Sequence, residues 1–196
     1  MKLNIDFFKV DPDSVILKQG IVLVSEPFSN DTYFKRSVVL LTEHNDKGSI
    51  GFILNKPVEA RVSEFIEDFP ETDARIFLGG PVATNTIHFL HNLGEQIPNS
   101  MHVFDDIYWG GNFDSLKSMI QLDLIAPENY IFFVGYSGWS PNQLDNEIKH
   151  NYWTVTRLSS KDIMAIEKDK MWHNSLEKLG GKFKIWGNSP ENPEFN

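Results

Sequence analysis

A chain of 196 residues, 41% hydrophobic and 23% charged, has the size and composition of one globular domain with a substantial core. It holds no cysteine, which excludes disulfides, cysteine nucleophiles and thiolate-bound zinc or iron–sulfur centres. Its formal net charge of −9 repels a phosphate backbone unless basic residues gather on one face, so direct nucleic-acid binding is disfavoured.

In chain order, residues 1 to 19 read as a lead-in. Asp6 and Lys9 interrupt its apolar residues, which speaks against a signal peptide. No apolar run in the chain reaches the roughly 18 residues of a membrane-spanning helix. A cytoplasmic protein without a membrane segment is expected. Ile21 to Val24 is a short β-branched run and predicts a buried strand. Ser37 to Thr42 and Ser49 to Leu54 predict two more, joined through Asn45-Asp46-Lys47-Gly48 as an antiparallel hairpin. Asn55-Lys56-Pro57 closes the hairpin, because Pro57 has no N–H for a central strand. Val62, Phe65, Ile66 and Phe69 recur at helical spacing before Pro70, which predicts a short helix.

Arg75 to Leu78 predicts a strand ended by Gly79-Gly80-Pro81, and Thr86 to His91 another. Met101 to Phe104 and Asp106 to Trp109 read as short extended pieces. Asn112 caps a helix whose inward face carries Phe113, Leu116 and Ile120. Tyr130 to Gly135 is the most hydrophobic strand of the chain. After it, Ser140-Pro141-Asn142-Gln143 matches a capping box, with Leu144 and Ile148 pointing inward. Tyr152 to Arg157 alternates, placing Trp153 and Val155 on one side. Ser160 to Glu167 and Met171 to Leu179 predict a C-terminal helix pair, with Gly180-Gly181 as the second helix's cap. Residues 188–196 read as a loose tail after a single domain over 1–187. Hairpins early and helices later predict an α+β fold on a mostly antiparallel sheet.

Three stretches invite a chemical reading. Gly135-Tyr136-Ser137-Gly138-Trp139 follows a strand and precedes a helix, like a serine nucleophile elbow, but Trp139 stands where the elbow has its last glycine. Structural glycines in a strand-to-helix turn are the plainer reading. His88, His91 and His102 could hold a metal beside Asp105 and Asp106, yet positions 88 and 91 of one strand point to opposite faces. Gly79-Gly80-Pro81 and Gly110-Gly111 could form anion-binding nests or simple tight turns. The lysines from Lys161 to Lys184 are interleaved with Asp162, Glu167, Asp169 and Glu177 and read as mixed surface.

Several blocks together resemble the AlgH/YqgE family. They are Gly20 to Val24 with Pro27, Phe34 to Val39, Gly48 to Pro57, Gly79 to Pro81, and Gly135 to Trp139 with Gln143 to Glu147 and Trp153. The resemblance implies a bulged, coiled, mostly antiparallel sheet with helices packed on it. Members are described as bacterial transcriptional regulators after a link to alginate production. The resemblance brings no established reaction and no catalytic residues.

The expectation is therefore a non-enzymatic regulatory or protein-interaction protein, with no catalytic, metal or cofactor site assigned. The candidate surface is a rim formed by Asn55, Pro57, Gly79, Gly80, Pro81, Gly138, Trp139 and Gln143. The partner is expected to be a protein. The alternative is a hydrolase using Ser137 or a metal site around His88, His91 and His102.

Overall fold

Long apolar runs with β-branched and aromatic residues form strands buried on both faces, and that is how this chain folds. The computed structural model describes residues 16–27, 29, 31–165, 168–187 and 189. Its strands are β1 (Val22–Ser25), β2 (Val38–Asn45), β3 (Gly48–Ile53), β4 (Ile76–Leu78), β5 (Val82–His91), β6 (Met101–Phe104), β7 (Ile107–Trp109), β8 (Tyr130–Trp139) and β9 (Trp153–Thr156). Its helices are α1 (Phe113–Gln121), α2 (Gln143–Lys149), α3 (Ser160–Met164), α4 (Met171–Leu179) and α5 (Gly181–Gly187).

The sheet runs in the order β6-β7-β5-β8-β3-β2-β1-β9, with β4 on β8 as well. All its pairings are antiparallel except β4 with β8. It coils. The Gln19 amide, just ahead of β1, donates to the carbonyls of His102 and Val103 in β6.

Strand alternation divides the core. Val22, Leu40, Phe52, Phe77, Leu90 and Phe133 face one side, covered by α3 and α4 through Ile163, Trp172 and Leu176. The opposite face is split in two. Leu116 and Ile120 of α1 cover Ile76, Phe89 and Phe132, and Leu144 of α2 covers Leu23, Val39, Ile53 and Val155.

Most expected elements stand where local pattern put them, and several differ; the strand expected from Thr86 already begins at Val82. The segment from Val62 to Phe69 makes only a single 3₁₀ turn over Val62–Glu64. Asp68 takes φ 55° and Pro70 follows, so no second turn can grow from so short a nucleus. Val62 and Phe69 are buried but Phe65 stays exposed. The strand expected to stop at Gly135 continues to Trp139. The helix expected from Pro141 begins at Gln143, because Asn142 takes φ 62°. Gln143 still closes half of the predicted box, its Oε1 accepting from Ser140 N–H at 3.0 Å.

At the C-terminal end, α3 stops at Met164, and a further helix, α5, follows Gly180. Arg36 ties that end down by donating to the Ser189 carbonyl while lying 4.9 Å over the Trp172 ring. Apart from Ser189, the expected tail from residue 188 lies outside the described residues, as does the lead-in before residue 16.

Candidate functional site

The sequence motifs converge on β8, where the chain crosses itself. β4 lies on one edge of β8 and β5 on the other, so the link between them, Gly79-Gly80-Pro81, must pass over β8. A Cβ on Gly79 would sit 2.2 Å from the Gly135 carbonyl oxygen, and one on Gly80 2.4 Å from the Tyr136 backbone. Only glycine admits that approach. These residues cross a strand rather than make a simple turn, and the backbone groups of Gly79 serve the sheet. Gly79 N–H donates to Val134 O, and Gly79 O accepts from Ile53 N–H and from the Ser137 hydroxyl.

Gly135, at φ 64°, makes a bulge in β8. Val134 packs under α1, yet Tyr136 packs on the opposite face and Trp139 lies under α2. The left-handed backbone at Gly135, where the β5–β8 register shifts, exchanges the two faces.

Ser137 is therefore not presented on an elbow. It sits inside a strand with no exposed surface, and its Oγ donates to Gly79 O at 2.9 Å. The histidines also do not converge. His91 is fully buried; Leu93 N–H donates to its Nδ1, so Nε2 carries the proton and points at Ser100 Oγ (2.8 Å) and Gly110 O (3.1 Å). Burial lowers its pKa, and the bond to Gly110 works the other way. His88 lies on the other face among Phe52, Trp109 and Tyr136, bonded to Thr86 Oγ1 at 3.0 Å, and burial lowers its pKa too. His102 faces the Asp105 carbonyl at 2.8 Å. Among the described residues no three His, Asp or Glu side chains assemble to hold a metal, and no helix is long and apolar enough to cross a membrane.

The expected rim is distributed through the fold. Asn55 latches β2 to the exit of β3, accepting from Val38 N–H and donating to Arg36 O, each at 2.9 Å. Pro57 is exposed and bridges to Phe77. Gly79 and Gly80 are buried in the crossing, and Pro81 is exposed beside it. Gly138 and Gln143 are exposed, but Trp139 is buried. Pattern reading missed what holds Trp139. The Glu147 carboxylate accepts from Trp139 Nε1 (2.8 Å), Trp153 Nε1 (2.7 Å) and Gln143 Nε2 (2.9 Å). Phe34 closes this group, stacked on Trp139 and edge-on to Trp153. The spacing of Gln143 and Glu147, four apart on one helix, was the available signal.

The end of β8 beside the β2–β3 tip is open. Two hollows flank that tip. One, of about 460 Å³, has Glu43, Asn45 and Lys47 on its tip side and Val82, Tyr136 and Pro141 opposite. The other, of about 400 Å³, is lined by His44 and Asp46 from the tip and by Asn142 and Asp145. The two hollows adjoin, with Asn45, Gly48, Ser49 and Ser140 lining both. Within the tip, Asn45 donates to Glu43 at 2.6 Å and His44 Nδ1 meets Ser49 Oγ at 2.8 Å.

One buried group belongs to no site. Lys168, between α3 and α4, is 3% exposed, and its Nζ lies 4.7 Å over the Phe77 ring with no hydrogen-bond partner among the described residues. Burial brings its pKa down to about 7.

Comparison with known proteins adds a lineage to this geometry. A family model described as AlgH-like matches residues 22–184. A UPF0301 protein of Parabacteroides distasonis is 40% identical over 193 residues, 97% of this chain and 98% of the relative. One from Cytophaga hutchinsonii is 40% identical over 92% of this chain and all of its own. Among solved structures, a Corynebacterium diphtheriae protein superposes with a TM-score of 0.72 at 19% identity, covering 89% of this chain and 94% of its own. The AlgH protein from Pseudomonas aeruginosa does so with 0.69 at 22%, covering 87% and 93%. At these identities the two structures speak for the fold alone.

Proposed function

This chain belongs to the AlgH-like family, a membership that carries a fold and no reaction, and from that premise we propose that it is a non-enzymatic, cytoplasmic protein-interaction protein. The observation that carries the reading is the fate of its reactive side chains. Ser137 and His91 are buried and spent on backbone partners, His88 is turned to the other face, and His102 is spent on the Asp105 carbonyl. An open surface lies instead at the β2–β3 tip with its two hollows, which takes in Gly138 and Trp139 of the expected rim.

A regulatory role exercised through protein contacts fits this chain better than one through DNA. The net charge is −9. Of the C-terminal lysines, Lys168 is buried, Lys178 pairs with Asp162 at 3.1 Å, and Lys182 lies over the Phe183 and Trp186 rings. Few are left to track phosphates.

The test is site-specific photocrosslinking in living cells. A photoreactive residue at Lys47 or Ser140 is expected to trap a discrete protein adduct, and one at Glu128, near the other end of β8, is expected not to. Identical adducts from both ends, or none from the tip, contradict the proposal. A fluorophosphonate probe is expected to leave Ser137 unlabelled in folded protein; labelling there would restore the hydrolase reading.

A further inference from the structure

The two hollows differ in kind, and the difference describes an occupant. The larger one has an apolar wall of Val82, Tyr136 and Pro141. The smaller one holds Asp46 and Asp145, whose carboxylates make no hydrogen bond or ion pair to a described residue. Glu43 adds a third carboxylate at the tip, against Lys47 alone. We infer that the tip of β2–β3 docks an extended cationic segment of a partner protein, with an apolar side chain against Tyr136 and Val82 and a neighbouring arginine between Asp46 and Asp145. This rests on the interaction reading above and adds the chemistry of the partner.

Charge complementarity carries the choice. An acidic hollow on a protein of net charge −9 raises the local concentration of cations and repels nucleic acid. A bound metal ion fits poorly, since among the described residues His44, Asp46 and Asp145 do not converge into a metal-binding set. A guanidinium suits the hollow better than an ammonium, because its planar donors satisfy carboxylates in pairs. The protruding tip sets the form of the segment. The two hollows adjoin across it, sharing Asn45, Gly48, Ser49 and Ser140, so neighbouring side chains of an extended chain can enter one each.

The probe is the tripeptide acetyl-Leu-Arg-Leu-amide, followed by amide NMR shifts of the full chain. Saturable shifts confined to residues 43–49, Val82 with its neighbours, and 136–145 are expected, with a glutamate-centred tripeptide, acetyl-Leu-Glu-Leu-amide, bound at least about tenfold more weakly, the scale of one charge-assisted bond. The double variant Asp46→Asn, Asp145→Asn should weaken the arginine peptide by about tenfold or more. The control Asp123→Asn, Glu128→Gln removes the same charge near the start of β8 and should leave it unchanged. Equal weakening in both variants, scattered shifts, or equal affinity for the two peptides overturns the inference. So does a partner crosslinked at Lys47 whose capture survives the Asp46→Asn, Asp145→Asn variant, a result that leaves the interaction reading standing. Melting temperatures of both variants confirm that the comparison is made between folded proteins.

Discussion

Replacing Lys168 by methionine tests the energetics of the face covered by α3 and α4. The side chain is 3% exposed, has no hydrogen-bond partner among the described residues, and meets the Phe77 ring at 4.7 Å. Burial takes its pKa from 10.5 to about 7. The unfolded chain therefore holds this proton up to 10.5 while the folded chain releases it near 7. Between those values the unfolded state binds more protons, so the free energy of unfolding rises with pH; below 7 both states are protonated and the full penalty stands. At about 1.4 kcal/mol per pH unit the penalty is on the order of 5 kcal/mol. The Phe77 face returns about 1 to 2 kcal/mol to the charged form, leaving about 3. Methionine keeps an unbranched chain and removes the charge. Lys168→Met is expected to be more stable than the parent by about 3 kcal/mol at pH 6, with the gap closing towards pH 10. Urea unfolding followed by tryptophan fluorescence at constant ionic strength measures both curves. Parallel curves, or a variant less stable at pH 6, would refute the reasoning.

Three further outcomes follow from the crossing and its surroundings. Gly80→Ala places a Cβ 2.4 Å from the Tyr136 backbone and is expected to lose about 3 kcal/mol or more, or to fail to fold. Gly110→Ala, at a left-handed φ of 66° but with open space around it, should lose only about 1 to 2 kcal/mol, so equal melting temperatures would discount the crossing. Glu147→Gln turns one acceptor into a donor facing two indole N–H groups and the Gln143 amide; a loss of about 1 to 3 kcal/mol is expected in urea, with altered Trp139 and Trp153 emission. His91, its pKa lowered by burial, stabilises the fold above the ordinary 6.5 and less as pH falls below it, because the unfolded chain protonates first. Imidazole ¹⁵N shifts should keep the neutral Nε2–H pattern below pH 6.5, and titration at or above that value would contradict the assigned hydrogen bonds.

What the sequence could and could not show divides by distance along the chain. Apolar runs of both parities, as in Val38 to Leu41 and Tyr130 to Val134, declare strands buried on two faces. The cap at Asn112 is equally local, its Oδ1 accepting from Ser115 N–H, and so is the alternation that sends Trp153 and Val155 under α2. Ordered blocks over much of the chain were also enough to identify the family. The periodicity of Val62 to Phe69 was just as legible, but Asp68 and Pro70 gave a helix no room to propagate.

The candidate site was legible only in part. Gly138 and Trp139 line the hollow beside the tip, whereas Asn55, Gly79 and Gly80 hold the sheet together. The glycines of 79–80 and 135 look alike in sequence whether they turn, bind an anion or cross a strand. Their meaning depends on β4 and β5 lying on opposite edges of β8, about fifty residues away. The shared carboxylate of Glu147, the isolation of Lys168 and the pairing of two hollows across one tip are of the same kind. Local propensity and spacing act over a turn or a strand and can be read from neighbours; the partner of a backbone edge or a buried charge is set by long-range packing, and only the folded chain supplies it.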